Sequence, residues 1–217
     1  MFNGAGGTIT TCDPNVQPLL NRVTFNSPCT VGMSAVGNFS QISTVFGNGP
    51  GQTTNGFDYQ INYDMPFLAG DLSLGITATN VTELRTGPTS LDGVTISTGD
   101  DRLGTLNFAT VASAAPEWRA NFSANYRMDK HNFRLGYNYV SAVTDERAGT
   151  QYGENGEEWA TWDFTYLFDV TDTLRLTASV NNITDEDPPA AQEELGYDPR
   201  LGNPLGRTIE LSIKKTF

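Results

Sequence analysis

Alternation of apolar and polar residues, repeated in seven segments, is the feature that most constrains how this chain folds. In residues 57–64 every odd position is apolar or aromatic and every even position is polar. A period of two is typical of a β-strand with one face in an apolar medium and the other in water. The same alternation recurs at residues 72–79, 118–126, 133–139, 162–168, 174–181 and 208–217. The chain is therefore predicted to be all-β.

The lengths of the strands and of their connections predict an antiparallel transmembrane β-barrel. The strands are expected to reach about 9–13 residues, against about 5–6 in soluble proteins, which is enough to cross a bilayer when tilted. Short turns join the strands in pairs, and the loops between the pairs are long: residues 85–116, 144–158 and 185–205. Outer-membrane barrels have short periplasmic turns and longer extracellular loops, so these three loops are predicted to be extracellular.

Aromatic residues at both ends of the strands predict two membrane interfaces. The loop ends carry Trp118, Trp159 and Trp162. The turn ends carry Tyr126, Phe168 and Phe217. Belts of aromatic residues are the usual anchors of a barrel at the two membrane surfaces.

Composition excludes several other classes of protein. The chain has 25 acidic residues against 13 basic ones and a net charge of −12, whereas nucleic-acid binding requires clustered Lys and Arg. Aromatic residues make up 11% of the chain, which argues against a disordered protein. No apolar run approaches the roughly 20 residues that a transmembrane helix needs. No signal peptide is predicted, because a basic start and an apolar stretch are both lacking after Met1.

No catalytic, cofactor-binding or metal site is predicted, because no nucleophile motif or spaced Ser/His/Asp set occurs. The two cysteines, Cys12 and Cys29, and the single His131 do not fill a typical structural metal site. The cysteines are compatible with a disulfide and with two free thiols. We expect His131 to be solvated in a turn, and the loop acids, Asp145 and Asp198 among them, to be solvated as well.

The last third of the chain carries three motifs in sequence. They are Val-Asn-Asn-Ile-Thr-Asp-Glu-Asp-Pro-Pro at residues 180–189, Gly-Tyr-Asp-Pro-Arg at 196–200 and Asn-Pro-Leu-Gly-Arg-Thr at 203–208. A last alternating strand follows and ends in Phe217. This combination resembles the C-terminal end of TonB-dependent receptors of Gram-negative bacteria, with Ile183 at a position where the family usually has Leu. The resemblance covers residues 38–217 and is strongest after residue 158.

The resemblance implies a particular architecture. Members of this family have a globular plug and a barrel of 22 strands, so about seven strands would be an incomplete part of such a barrel. Residues 1–37 are then expected to belong to an extracellular loop region, and residues 38–217 to be the C-terminal transmembrane barrel segment. The chain is expected to be the C-terminal portion of a receptor, with the plug and the N-terminal barrel strands missing from it.

The resemblance also implies a function and partners. It implies energised import of a scarce nutrient across the outer membrane, where the ligand is a ferric siderophore, a cobalamin or an oligosaccharide. The partners would be outer-membrane lipid, the barrel-assembly machinery, and TonB acting through the plug. No enzymatic activity and no cofactor are expected.

Two sets of residues are candidates for specific roles. Within the last strand, Ile209, Leu211, Ile213 and Phe217 resemble the signal that the barrel-assembly machinery recognises. Charged residues on the polar side of the strands are predicted to face the barrel lumen: Asp58, Asp64, Arg119, Arg134, Asp163, Arg175 and Glu210. For most of these, a wet wall with cross-strand charge pairs is a simpler interpretation than contact with a plug or substrate.

Two other functions stay open on the sequence. A small passive or adhesive outer-membrane barrel would need an even number of strands, and hence an eighth strand within residues 31–46. A soluble sugar-binding β-sandwich would have to stay soluble without detergent, against the aromatic faces of the predicted strands.

Overall fold

An antiparallel sheet of seven long strands dominates the fold of this chain. The computed structural model describes residues 17–28, 39–44, 46–107, 115–147 and 155–217. The strands are β1 (Gln52–Phe67), β2 (Gly70–Thr86), β3 (Trp118–Met128), β4 (His131–Val140), β5 (Trp159–Thr171), β6 (Leu174–Asn181) and β7 (Thr208–Lys215). Their order in the sheet is their order in the chain, so β1 and β7 are its two edges. The all-β prediction and all seven predicted strands are confirmed.

The register between neighbouring strands places most apolar residues of the sheet on one face. Leu135 of β4 lies opposite Ala124 of β3 and Phe164 of β5. Phe164 in turn lies opposite Val180, which lies opposite Ile209 of β7. Such cross-strand pairs are the unit of stabilisation in an antiparallel sheet. We call this side of the sheet the apolar face and the opposite side the polar face.

The turns within the hairpins are short, as predicted. Two residues connect β1 to β2, β3 to β4, and β5 to β6. Leu68 and Asp129, the first residues of two of these turns, have φ angles of 53° and 50°. Gly70, which follows the first turn, lies so close to β3 that a Cβ atom there would be 2.1 Å from the carbonyl oxygen of Arg127. Glycine is therefore required at this position.

The ends of three strands differ from the prediction. β1 and β2 extend well beyond the alternating segments and reach 16 and 17 residues. Beyond the alternating part, polar side chains continue the pairing, as in the hydrogen bond from Asn55 Nδ2 to Glu83. At the other end of the chain, β7 stops at Lys215, so that Phe217 lies past the last strand pair and is fully exposed.

A cluster of aromatic rings covers the apolar face near the turn end of the strands. The ring of His131 stacks on Phe168 with 4.9 Å between centroids, and its Nδ1 lies 2.7 Å from the hydroxyl oxygen of Tyr166. Phe133 stacks on Tyr166 at 5.0 Å. The prediction of a solvated turn histidine is wrong, because His131 begins β4 and its ring joins this aromatic cluster.

A small hydrophobic core, which we call the loop core, lies at the loop end of the sheet. It consists of the buried residues Leu106, Val140, Val143, Ala191 and Leu201. Trp159 packs against it. Both Trp159 and its strand partner Val140 point to the polar face, since they alternate with Tyr139 and Ala160 of the apolar face. The prediction that Trp159 belongs to a membrane-interface belt is therefore wrong.

The chain divides into two compact units. One of them, Thr54–Leu84 with Arg102–Phe217, contains the loop core and all of the sheet except the outer ends of β1 and β2. The other comprises the described residues up to Thr53 together with Arg85–Asp101.

Short elements make up this smaller unit. They are the helix Gln17–Leu20 and the strands Val23–Phe25, Phe39–Ile42, Thr89–Leu91, Val94–Ser97 and Asp100–Asp101. Arg22 forms a bidentate ion pair with Asp92. No helix in the described ranges has the length and apolar character needed to span a membrane.

Three predictions fall on parts of the chain that the structure leaves partly or wholly undescribed. Cys12 and Cys29 lie outside the described residues, as does the segment 31–38 of the proposed eighth strand. The described part of that strand, Phe39–Ile42, pairs with Val23–Phe25 and not with the large sheet. The boundary between residues 37 and 38 stays a prediction.

The loop core yields a stability prediction. Leu106 is almost fully buried, so Leu106→Ala should destabilise the loop core by about 2–5 kcal/mol through lost burial and the cavity that remains. Hydrogen exchange should become faster at the amides around Val143 and Leu201, while the amides of β3–β5 keep their protection. Leu205→Ala is the matched control, because Leu205 lies in the same loop as Leu201 of the loop core and is 72% exposed. Equal effects of the two substitutions would contradict the assignment of the loop core.

Candidate functional site

The polar face of the sheet carries all seven residues predicted to line a lumen. The strand alternation places Asp58, Asp64, Arg119, Arg134, Asp163, Arg175 and Glu210 on this face. They are spread over β1, β3, β4, β5, β6 and β7, and so form a surface and not a single cluster. That this surface lines a barrel lumen stays a prediction.

A cavity of about 420 Å³ opens on the polar face. Its lining consists of Asn62, Gly75, Thr77, Asn121, Phe122, Ser123, Arg134, Gly136, Asn138, Asp163, Thr165 and Asn181. Gly75, Ser123 and Gly136 lie in one row across three strands. A Cβ atom at Gly75 would lie 2.8 Å from Ser123 Oγ, so the absence of a side chain there keeps the surface concave. Amide and hydroxyl groups suited to hydrogen bonding dominate this cavity.

A chain of hydrogen bonds crosses the cavity and ends at Asp163. Asn121 Nδ2 donates to Asn138 Oδ1 over 2.6 Å, and Asn138 Nδ2 donates to Asp163 Oδ2 over 2.8 Å. The other carboxylate oxygen of Asp163 accepts the backbone N–H of Asn182 over 2.8 Å. Asp163 therefore joins β3, β4 and β5 to the start of the last loop. Its hydrogen bonds favour a structural role over direct contact with a ligand.

The three arginines predicted to line a lumen differ in their partners. Arg119 donates from Nη2 to the carbonyl oxygen of Arg200 over 2.8 Å, and Arg175 forms a bidentate pair with Asp169. Arg134 makes no hydrogen bond or ion pair with any residue in the described part of the chain, and it lines the cavity. Its guanidinium is thus available for a carboxylate, a phosphate or another anionic group.

The long loops fold back over the polar face at the loop end of the sheet. Asp145 and Arg147 form an ion pair whose side chains are only 2% and 4% exposed. Arg147 also pairs with Glu193 from the last loop, and the backbone N–H of Gln192 donates to Asp145 Oδ2 over 2.7 Å. These contacts join two loops into one body. Because Arg119 holds the carbonyl of Arg200, this body is tied to the polar face.

Two loop acids that the sequence predicts to be solvated are buried instead. Asp145 and Asp198 are both inaccessible or nearly so. Each accepts hydrogen bonds from the arginine two positions further on, Arg147 or Arg200, through its side chain and its backbone N–H. A buried carboxylate is tolerated only when it is paired and hydrogen-bonded in this way. The signal in the sequence is the repeated Asp-x-Arg spacing.

The pairing lowers the pKa values of both carboxyls. Burial alone would raise the pKa of Asp145, but hydrogen bonds from Arg147 and from the backbone of Gln192, with the charge of Arg147, outweigh it. In the same way, burial would raise the pKa of Asp198, and the hydrogen bonds and charge of Arg200 bring it below its ordinary value. Both groups therefore stay ionised well into the acidic range.

No group of three or more His, Cys, Asp and Glu side chains is placed to hold a metal ion within the ranges that the structure describes.

The two buried carboxylates predict an acid transition of the loops. Since their folded-state pKa values lie below the unfolded value of about 3.8, they stabilise the loop body fully above that pH and progressively less as the pH falls through the folded pKa values. Below about pH 4, Trp159 should separate from the loop core, which its fluorescence would report once Trp118 and Trp162 are replaced by Phe. Asp145→Asn should make this transition shallower, and an identical transition in that variant would contradict the assignment.

Comparison with known proteins identifies the family. Residues 12–183 match the family model described as "TonB dependent receptor-like, beta-barrel". A structure of the ferric enterobactin receptor PfeA from Pseudomonas aeruginosa, in mutant form, is similar with 12% sequence identity and a TM-score of 0.41. The similarity covers 76% of this chain and 31% of that receptor, so this chain matches less than a third of its length. No curated protein sequence matches.

The match to the family model extends over most of the chain and includes β1 through β6. It names the same family as the resemblance of the C-terminal motifs, which lie almost entirely beyond the matched residues, and it agrees with the antiparallel sheet. The chain belongs to the TonB-dependent receptor-like β-barrel family.

Proposed function

We propose that this chain forms part of the barrel wall of a TonB-dependent receptor in the Gram-negative outer membrane. In that setting it helps to bind a scarce nutrient and to import it with energy that TonB transmits through a plug domain. The two-faced sheet is the observation that carries the proposal: one face is continuous and apolar, and the other is polar and carries the cavity. Family membership supports it.

In this proposal the apolar face contacts lipid. Its side chains on the first edge strand, such as Phe57 and Ile61, are 60% and 58% exposed, and Leu211 on the last edge strand is 79% exposed. Apolar patches of this extent are rare on soluble proteins and mark contacts with membranes or other proteins. Strand edges in lipid leave N–H and C=O groups unpaired at a cost of several kcal/mol each, so β1 and β7 would pair with other strands of the receptor.

The polar face forms the lumen in this proposal, and the folded loops lie at its extracellular mouth. The amides, hydroxyls and free guanidinium of the cavity suit a hydrophilic ligand or the surface of a plug. Ferric siderophores, cobalamins and oligosaccharides all present such groups, and the proposal extends to any of the three. In this proposal the chain takes part in binding and transport and has no catalytic role.

The last strand has a proposed role in assembly. Ile209, Leu211 and Ile213 lie on the apolar face of β7, and all three are more than 70% exposed. A row of exposed apolar residues on an edge strand suits recognition by strand pairing, in which main-chain hydrogen bonds give affinity and alternate side chains give specificity. We propose that this row, with Phe217, is the segment that the barrel-assembly machinery recognises.

The alternatives have less support. A small eight-stranded barrel would need residues 31–46 to join the sheet, but Phe39–Ile42 pairs with Val23–Phe25. A β-sandwich would need a second sheet on the apolar face. The smaller sheets in the described ranges are short two- and three-stranded pieces, and the longest of their strands has four residues.

Nutrient-limited growth tests this proposal. A strain that lacks the gene should grow more slowly when one nutrient class, iron as siderophore, cobalamin or an oligosaccharide, limits growth. A strain that lacks TonB should show the same defect, because the two proteins act in one pathway. Normal growth on all three nutrients, or a defect independent of TonB, would contradict the proposed function.

A variant of the polar cavity refines this experiment. Arg134→Gln should lower uptake several-fold if the nutrient carries an anionic group that the free guanidinium binds. Arg127→Gln is the matched control, because Arg127 lies on the polar face of the neighbouring strand but outside the cavity. Equal losses in the two variants would assign the effect to the general charge of the polar face.

A further inference from the structure

The motifs at residues 180–189 and 203–208 meet in the structure at the base of the last loop. This loop leaves β6 after Asn181 and returns to β7 at Thr208, and these two residues form the last pair between the strands. Asn181 Nδ2 also donates to Thr208 Oγ1 over 3.3 Å. The proposed transport function does not explain why these residue types are needed here.

The register of β7 on β6 needs a determinant of its own. A two-residue turn fixes the register of a hairpin by its geometry, but the loop from residue 182 to residue 207 is too long to do so. The alternation of apolar and polar residues opposes a slip by one residue, because such a slip would exchange the two faces. A slip by two residues keeps every side chain on its face, and the alternation does not oppose it.

Asn182 fixes the direction in which the chain leaves β6. Its side chain accepts the backbone N–H of Glu186 over 2.9 Å and donates to the carbonyl oxygen of the same residue over 2.8 Å. Its own N–H donates to Asp163. Asn182 is 6% exposed and has a φ angle of 51°, a conformation that Asn adopts more readily than most residues. The first turn of the loop is thus closed and anchored to β5.

A contact between Asp185 and Arg207 joins this turn to the start of β7, because Arg207 is the residue directly before that strand. Asp185 Oδ1 accepts the backbone N–H of Arg207 over 2.7 Å, and Arg207 Nη1 donates to the carbonyl oxygen of Ile183 over 3.2 Å. A Cβ atom at Gly206 would lie 2.8 Å from the same Asp185 oxygen, and its φ angle is 61°. Gly206 therefore permits the approach. Both charged side chains are about half exposed, so their ion pair adds little and the backbone hydrogen bond provides the main constraint.

We propose that Asn182, Asp185 and Arg207 form a clasp that sets the register of the terminal strand on β6. The clasp fixes where the chain leaves β6 and where it starts β7, so that it selects one register from those that preserve the two faces. Asp185 and Arg207 are positioning residues in this scheme. A fixed register would also fix the depth of the exposed row of β7 in the membrane. This consequence for assembly rests on the proposed function, whereas the register itself does not.

Cysteine cross-linking reads the register directly. The native Cys12 and Cys29 are first replaced by Ser. Ser179→Cys is then combined with Glu210→Cys, its partner in the observed register, or with Ser212→Cys, its partner after a slip by two residues. Directly opposed cysteines form disulfides on mild oxidation, whereas residues two positions apart are too distant.

Loss of the clasp should favour the slipped register. With the clasp intact, the 179–210 pair should cross-link and the 179–212 pair should not. In the Asp185→Gly background, which removes the carboxylate and keeps the positive φ angle permissible, the ratio of slipped to native product should rise about tenfold, which corresponds to about 1.4 kcal/mol of lost preference. A second cysteine pair, Ser179→Cys with Thr208→Cys, detects a slip by two residues in the opposite direction.

Two controls separate the clasp from a general effect on the loop. Asp185→Asn keeps an oxygen that can accept the N–H of Arg207, so it should keep the native register. Arg200→Ala breaks the ion pair with Asp198 far from the base of the loop and should also keep it. An unchanged ratio in Asp185→Gly, or an equal rise in Arg200→Ala, would overturn the proposal. Neither result depends on nutrient uptake, so a failure of the proposed function remains distinguishable.

Discussion

The structure depends on a register of strand pairs that keeps most apolar side chains of one sheet on the same side. Because side chains alternate between the faces with a period of two, a shift of one residue between two strands would move the apolar residues of one strand to the wet face. Pairs such as Leu135 with Phe164 and Val180 with Ile209 maintain this arrangement from the middle of the sheet to its edge. The arrangement provides one surface suited to lipid and another suited to water, which is what a barrel wall requires.

The polar face gains its structure from contacts between elements that are distant in the chain. Asp163 accepts hydrogen bonds from Asn138 of the adjacent strand and from the backbone of Asn182. At the loop end of the sheet, the guanidinium of Arg119 donates to the carbonyl oxygen of Arg200 in the last loop. As a result the loops are joined to the polar face of the sheet through specific side chains, and the groups left unpaired, such as Arg134, are those available to a ligand or a plug.

Alternation in the sequence predicts the strands well because it is a local property that the sheet preserves. The same reasoning fails where distant contacts decide the outcome. Trp159 resembles an interfacial anchor, but it lies on the polar face and packs against a loop core that is assembled from three separate segments. Asp145 and Asp198 resemble solvated acids, but arginines two residues away satisfy them and allow their burial. The cavity is equally hidden in the sequence, because Gly75 and Gly136 become neighbours of Ser123 only in the sheet.

The central claim is that one face of the sheet contacts lipid while the other contacts water. Nitroxide labels placed singly along β5, at positions 161–168 of a chain without native cysteines and residing in the outer membrane, test it most directly. Collision with oxygen should be frequent for labels at Trp162, Phe164 and Tyr166, and collision with a water-soluble nickel complex should be frequent at Asp163 and Thr165. This alternation with a period of two is the predicted result. Equal access of the nickel complex to both sets of positions would contradict the account.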